Sequence, residues 1–221
     1  MEILDNFNPT LLLVVGFVLI ALGALRFQLL RRRLQNVQTA PLAGASGFVQ
    51  VKGTSSVGKE GVVQAPLSGR ACVWVRITLD AETGPTGARW RNLTQEVLAK
   101  DFYLRDGAGG SVHVFPEGAE VRSTNKQTTV IAPGEEASST LVEYIISQGG
   151  TLQEIRDTMS PPGSVRAIEE VIVLGDEVHV VGRAKKDGAE SIFRGSPLYV
   201  AHDDIQVLAK DGRLFDGRAR P

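Results

Sequence analysis

The sequence predicts a mainly β protein of the α+β class: an N-terminal transmembrane helix, then a β-rich sandwich or partly closed barrel with one or two short helices. Three observations carry this expectation. An apolar run from Thr10 to Leu30 is followed directly by Arg31-Arg32-Arg33. From Gly47 onward, short apolar runs alternate with glycine, serine and proline at the regular spacing of an all-β sandwich or barrel. Only the stretches after Pro133 and Thr151 combine a helical period with a capping-type start.

A spanning helix needs roughly 20 apolar residues. Leu11 to Leu25 is apolar around its whole circumference, which argues for a membrane span over an amphipathic soluble helix. Phe27, Leu29 and Leu30 extend it, and Arg26 can snorkel to the interface. The positive charge follows the run, the pattern of a retained signal anchor; a cleaved signal peptide has it in front. Basic residues stay cytoplasmic. Arg31, Arg32 and Arg33 are therefore expected at the cytoplasmic membrane interface. Residues 1–9 form a short extracytoplasmic tail, 10–30 a single-pass anchor, 31–46 a juxtamembrane linker, 47–204 a cytoplasm-facing domain and 205–221 a C-terminal tail.

Within the domain, Phe48 to Val51 reads as a strand ended by Gly53-Thr54-Ser55-Ser56, and Val62-Val63 as one ended by Pro66. In the strand Cys72 to Leu79, alternation places Val73, Val75, Ile77 and Leu79 on a core face and Cys72, Trp74, Arg76 and Thr78 on a mixed one. Residues 80–88 form a polar loop. Arg89 to Arg105 reads as two strands with a break near Ala99-Lys100-Asp101, a helix over 92–100 being the alternative. Ser111 to Phe115, Val121 and Thr128 to Ala132 supply further strands. Thr140 and Glu143 have capping-box spacing, with Ala137, Leu141 and Ile145 at four-residue steps and Gly149-Gly150 as the stop. Thr151 and Glu154 repeat the capping signal before LQEIRDTM. Val165 to Leu174 and Val178 to Ala184, on either side of Gly175-Asp176, read as a β-hairpin. Ser191 to Phe193 and Pro197 to Val200 close the domain.

Composition excludes several functions. Charged residues are 22% and the formal net charge is -1, so neither polybasic nucleic-acid binding nor an acidic disordered tail is expected. One cysteine excludes an internal disulfide and any multi-cysteine zinc site, and three scattered histidines do not replace one; no metal and no cofactor are expected. Gly107 to Gly110 lies between strands and lacks the strand-to-helix context of a phosphate loop. Cys72, inside a β-branched strand, reads as packing. Its use as a nucleophile with His113, His179 or His202 is the alternative and would make the protein a membrane-tethered hydrolase or transferase. Glu169 and Glu170 face opposite ways in their strand, so at most one is buried, and a buried glutamate needs a partner. Arg70, Arg76 and Arg183 are the candidates, with Glu170–Arg183 as the expected pair.

The turn and strand Ala65-Pro66-Leu67-Ser68-Gly69-Arg70-Ala71-Cys72-Val73-Trp74, with Glu169-Glu170, Leu174-Gly175-Asp176 and Val180-Val181-Gly182-Arg183-Ala184, resembles the GIDE-type domain, also called BAM for "beside a membrane". The resemblance spans roughly Gly47 to Val200. It implies a domain that sits against a membrane and mediates partner or substrate recognition, as in RING-bearing membrane ubiquitin ligases. It also implies a prokaryotic relative. One cysteine cannot build the two zinc sites of a RING, and no second hydrophobic span is present, so ligase activity is not carried over. The expected function is a membrane-anchored binding or scaffold module that recruits an unidentified protein partner or senses the bilayer surface. Pro66, Leu67, Ser68, Gly69, Arg70, Trp74 and Arg76 are its candidate partner-binding residues. An envelope assembly protein that oligomerises through sheet edges is a further alternative; the sequence does not set the oligomeric state.

Overall fold

The computed structural model describes residues 9–83, 89–157, 163–188, 190–211 and 214. They fall into two compact units: Gln38–Ile205, and a terminal unit of Met1–Val37 with Gln206–Pro221. Residues 1–8 of the expected 1–9 tail, residues 84–88 of the expected 80–88 loop (whose first four residues belong to a strand), Pro161-Pro162 and most of the C-terminal segment lie outside the described residues.

In the terminal unit, helix α1 spans Pro9–Gln35. The helix continues past Leu30 through the three arginines, so the first residues of the expected linker are helical. Arg, Leu and Gln are good helix formers, and no glycine or proline interrupts them. The most apolar 18 residues within Leu13–Gln35 have a mean hydropathy of 2.2, and the segment is long and apolar enough to cross a membrane, a property that signal sequences share. The chain end, expected as a polar tail, forms a short helix α4, Ile205–Lys210. Its last carbonyls accept from α1 side chains: Arg31 donates to the Lys210 oxygen at 3.3 Å and Gln35 to the Ala209 oxygen at 3.4 Å. The Gln206 amide in turn donates to the Val37 carbonyl. These partners are more than 160 residues away in sequence, which is why local pattern did not reveal the helix.

The larger unit is built on two sheets. The strands of the first are β1 (Gln38–Thr39), β2 (Gly47–Val57), β6 (Phe102–Arg105), β7 (Ser111–Val114), β8 (Glu120–Arg122), β11 (Glu177–Asp187), β12 (Glu190–Phe193) and β13 (Tyr199–Ala201). β2, β6, β7, β12 and β11 form a closed barrel, because β11 pairs antiparallel with β2 from Glu177↔Thr54 to Ala184↔Gly47. Closure removes the sheet edges that the alternating sequence would otherwise leave open. Val51, Phe102, Leu104, Val114, Val180 and Phe193 fill the interior. The second sheet runs β3 (Val63–Gln64), β4 (Ala71–Thr83), β10 (Val165–Val173) and β9 (Lys126–Ile131), with β5 (Arg89–Ala99) also on β4. One face of it packs Val75, Ile77, Leu79, Ala167 and Val171 against α2 (Ser139–Ser147), through Leu141, Tyr144 and Ile145.

The mainly β class is as expected, and so is the break between β5 and β6 at Lys100-Asp101. Three further expectations are corrected. β2 does not stop at Gly53: Thr54 to Val57 pair antiparallel with Arg105 to Phe102 of β6, and Ser55 also exchanges backbone hydrogen bonds with Gly175 and Asp176. α2 is capped by Ser138, whose oxygen accepts from Leu141 N–H; the Thr140–Glu143 spacing lies inside the helix. The Thr151–Glu154 box is present, with reciprocal bonds of 2.7 and 3.1 Å, and it opens α3 (Leu152–Asp157).

The third correction concerns the expected hairpin. β10 and β11 do not pair: β10 joins β4 and β9, whereas β11 joins β2, β12 and β13. Gly175-Asp176 is a corner at which the chain leaves one sheet for the other. The Asp176 carboxylate holds it by accepting from Val173 N–H at 2.9 Å and from His202 Nε2 at 2.9 Å, while Thr124 N–H donates to His202 Nδ1.

Candidate functional site

The turn at Ala65 to Arg70 is closed by its own backbone. Ala65 N–H donates to the Arg70 carbonyl at 2.9 Å and Gly69 N–H to the Ala65 carbonyl at 2.8 Å. Gly69 has φ +67°, which a side chain would strain, so glycine suits this position. Pro66, Leu67 and Ser68 are half-buried, whereas Gly69 and Arg70 are exposed. The Arg70 guanidinium donates to the Asn125 side chain at 2.8 Å, tying the turn to the loop before β9.

What holds this turn is Glu169. It lies in the middle of β10, opposite Ile77 of β4 and Gln127 of β9, and only 2% of it is exposed. Its carboxylate accepts from the Leu67 N–H at 2.8 Å and the Ser68 N–H at 3.3 Å. A buried carboxylate requires donors, and here two successive turn amides supply them. Sequence reasoning sought an arginine for the buried glutamate and missed this role. The usable signal was the pair of adjacent glutamates facing opposite ways, together with a glycine-containing turn whose amides have no strand partner.

Glu170, on the opposite face, pairs with Arg76 at 2.5 Å, and both side chains are mostly buried. The expected Glu170–Arg183 pair is therefore not formed. Arg183 is on β11, in the barrel, opposite Phe48. The Arg76 guanidinium also sits 5.4 Å from the Trp74 ring.

Trp74 and its neighbours are rearranged by a β-bulge. Opposite Ile172 and Val173 of β10 stand Trp74 and Cys72, so Val73 is an extra residue on β4. One inserted residue shifts the alternation. Val73 and Trp74 both join the barrel-side core, whereas Cys72 lies on the α2 side with Val75 and Ile77. The expected core face Val73, Val75, Ile77, Leu79 therefore loses Val73 and gains Cys72. Trp74 is only 3% exposed and borders a cleft of about 530 Å³ beside Val97, Phe115 and Arg194. The seven residues expected to act together thus divide. Pro66 to Arg70 form the turn on the Glu169 side of the sheet, and Trp74 and Arg76 lie on the other side.

Cys72 is fully buried, and its thiol donates to the Val63 carbonyl at 3.4 Å. Burial and, secondarily, the Glu169 charge push its pKa up to about 11. The histidines are engaged elsewhere. His202 lies against Asp176, and His179 Nδ1 accepts from the Gln50 amide at 3.3 Å. Burial lowers the His179 pKa. His113 is buried between Tyr103 and Phe115 and donates to Asp101 at 2.5 Å. Burial opposes ionisation of Asp101, but hydrogen bonds from the Glu60 and Lys59 amides and from His113 outweigh it and hold the carboxyl below its ordinary range. A thiol poised for nucleophilic attack would need the opposite environment, with a lowered pKa and a nearby base. Among the described residues, no group of three or more His, Cys, Asp or Glu side chains could hold a metal ion.

A family model for GIDE, described as an E3 ubiquitin ligase, matches residues 77–200, more than half of the chain. The chain belongs to the GIDE family. No curated protein and no solved structure matches it. The matched segment of this GIDE domain contains Glu169, Glu170 and the Gly175-Asp176 corner, and it starts just downstream of the turn that Glu169 holds. In the GIDE domain the motif glutamates therefore serve two structural tasks: one anchors an exposed turn and the other neutralises a strand arginine.

Proposed function

We propose that this GIDE protein is a membrane-anchored module that displays the Ala65–Arg70 turn, on the cytoplasmic side, as a recognition element for a protein partner. The carrying observation is the use of a buried carboxylate to fix two amides of a half-exposed turn. A loop held this way loses little conformational entropy on binding, and such preorganisation favours recognition. Supporting the anchor are the apolar α1 and the arginines that end it, whose charge favours a cytoplasmic C-terminal side. Only Asn36 and Val37 separate α1 from β1, so the domain follows the anchor without a long tether. The buried, hydrogen-bonded Cys72 argues against a thiol hydrolase. The ligase description belongs to the family; a single cysteine offers no RING zinc ligands for that chemistry here.

Two measurements test this reading. Protease added to sealed vesicles of known orientation should digest the β-rich unit only when the cytoplasmic face is outward. A photocrosslinker at Arg70 should give a discrete protein adduct that one at Gln153, on exposed α3, does not. Digestion from the opposite face, or identical adducts from both positions, contradicts the proposal.

A further inference from the structure

A second feature of the barrel is unrelated to the turn. β11 and β12 surround a cleft of about 470 Å³ with Arg183, Lys185, Lys186 and Arg194, against the single carboxylate of Asp187. Strand alternation explains the arrangement: Ala184 and Phe193, which face each other, point into the barrel, so Arg183, Lys185 and Arg194 point out. Like charges on adjoining strands destabilise a sheet unless something neutralises them. For several strand cations elsewhere the fold provides that partner. Arg76 has Glu170, Arg166 has Asp80, Lys52 has Glu177 and Arg122 has Glu120. Among the described residues, none of the four cleft cations has an ion-pair partner within 4.0 Å. Arg194 is instead laid over the Phe115 ring, 4.1 Å from its centre, which fixes its guanidinium without neutralising its charge.

Two arginines and two lysines around one concavity are the groups that recognise phosphate, the arginines through paired N–H donors and the lysines as point charges. We propose that this cleft binds a phosphate group carrying two or more negative charges, borne by a phosphorylated lipid headgroup or by a free polyanion. The lipid source rests on the membrane-anchored reading above; the free-anion source does not, and neither needs the Ala65–Arg70 turn.

The test uses the full chain in a neutral detergent at low salt and near-neutral pH. Binding is measured with sodium pyrophosphate, and with mixed micelles containing phosphatidic acid or phosphatidylcholine. Saturable binding of pyrophosphate is expected if a free anion suffices. Binding of phosphatidic acid micelles alone assigns the headgroup as the source. In either case the double variant Arg183→Gln/Lys185→Gln should weaken binding by roughly tenfold or more through loss of charge-assisted contacts. Arg91→Gln/Lys126→Gln, exposed cations on the second sheet, should bind like the parent. Lys186→Gln, near the strand end, supplies the comparison should the double variant not fold. Failure of both probes to bind saturably overturns the proposal. So does an equal loss in the Arg91/Lys126 variant, because it would show a response to overall charge alone.

Discussion

Replacing Glu169 is the most direct perturbation of the turn. In Glu169→Ala, the Leu67 and Ser68 amides lose the acceptor that now lies 2.8 and 3.3 Å away, and a space is left in a strand position only 2% exposed. A hydrogen bond to a charged group is worth about 1.5–3 kcal/mol, and an unsatisfied buried donor costs about 1–3 kcal/mol. The longer Ser68 contact counts for less, and Leu67 and Ser68 are half-exposed, so water recovers part of the loss. The expected destabilisation is about 3 kcal/mol for Glu169→Ala. For Glu169→Gln, which keeps one acceptor oxygen but loses the charge, about 1 kcal/mol is expected. Urea unfolding followed by tryptophan emission reads the global term, because Trp74 is buried. Hydrogen exchange reads the local one: Leu67 and Ser68 amides should lose protection more than the amides of β10 itself. Glu169→Gln should also bring the Cys72 pKa down from about 11, because the Glu169 charge helps raise it. A Glu169→Ala protein within about 0.5 kcal/mol of the parent, with Leu67 and Ser68 as protected as before, would refute the claim that this carboxylate holds the turn.

Three further outcomes follow from the packing. The Cys72 thiol, raised from 9.0 to about 11, should react with a thiol reagent at mildly alkaline pH about a hundredfold more slowly than a free cysteine. Because the unfolded chain loses that proton first, stability should fall as pH rises from about 9 to about 11, and Cys72→Ala should flatten that limb. Gly58→Ala would place a Cβ 2.1 Å from the Asp101 carbonyl oxygen. The loop whose Lys59 and Glu60 amides bind the Asp101 carboxylate must then lift, and thermal unfolding should register a loss of about 3 kcal/mol.

The turn at Pro66 to Gly69 was legible from its residues, but its anchor was not. A carboxylate in a strand can be recognised as needing donors. Which donors arrive depends on how β3 and β10 come to lie beside β4, some 100 residues apart in sequence. The same limit explains the Glu170 assignment. Arg76 and Arg183 are equally plausible on chemistry, and only the β4–β10 register places Arg76 directly opposite Glu170.

By itself the sequence determined the apolar helix, the arginines that end it, the positions of most strands and the family resemblance, because each of these is written in local periodicity and composition. Tertiary structure decided which sheet each strand joins. Val165–Val173 and Glu177–Asp187 have the alternation of a hairpin, yet they part at Gly175-Asp176 because β2 and β4 offer them separate partners. It also decided the fate of Trp74, since a bulge at Val73 is visible only once β10 fixes the count of residues on each side. Alternation states that two faces exist; backbone hydrogen bonding across distant segments selects what each face meets.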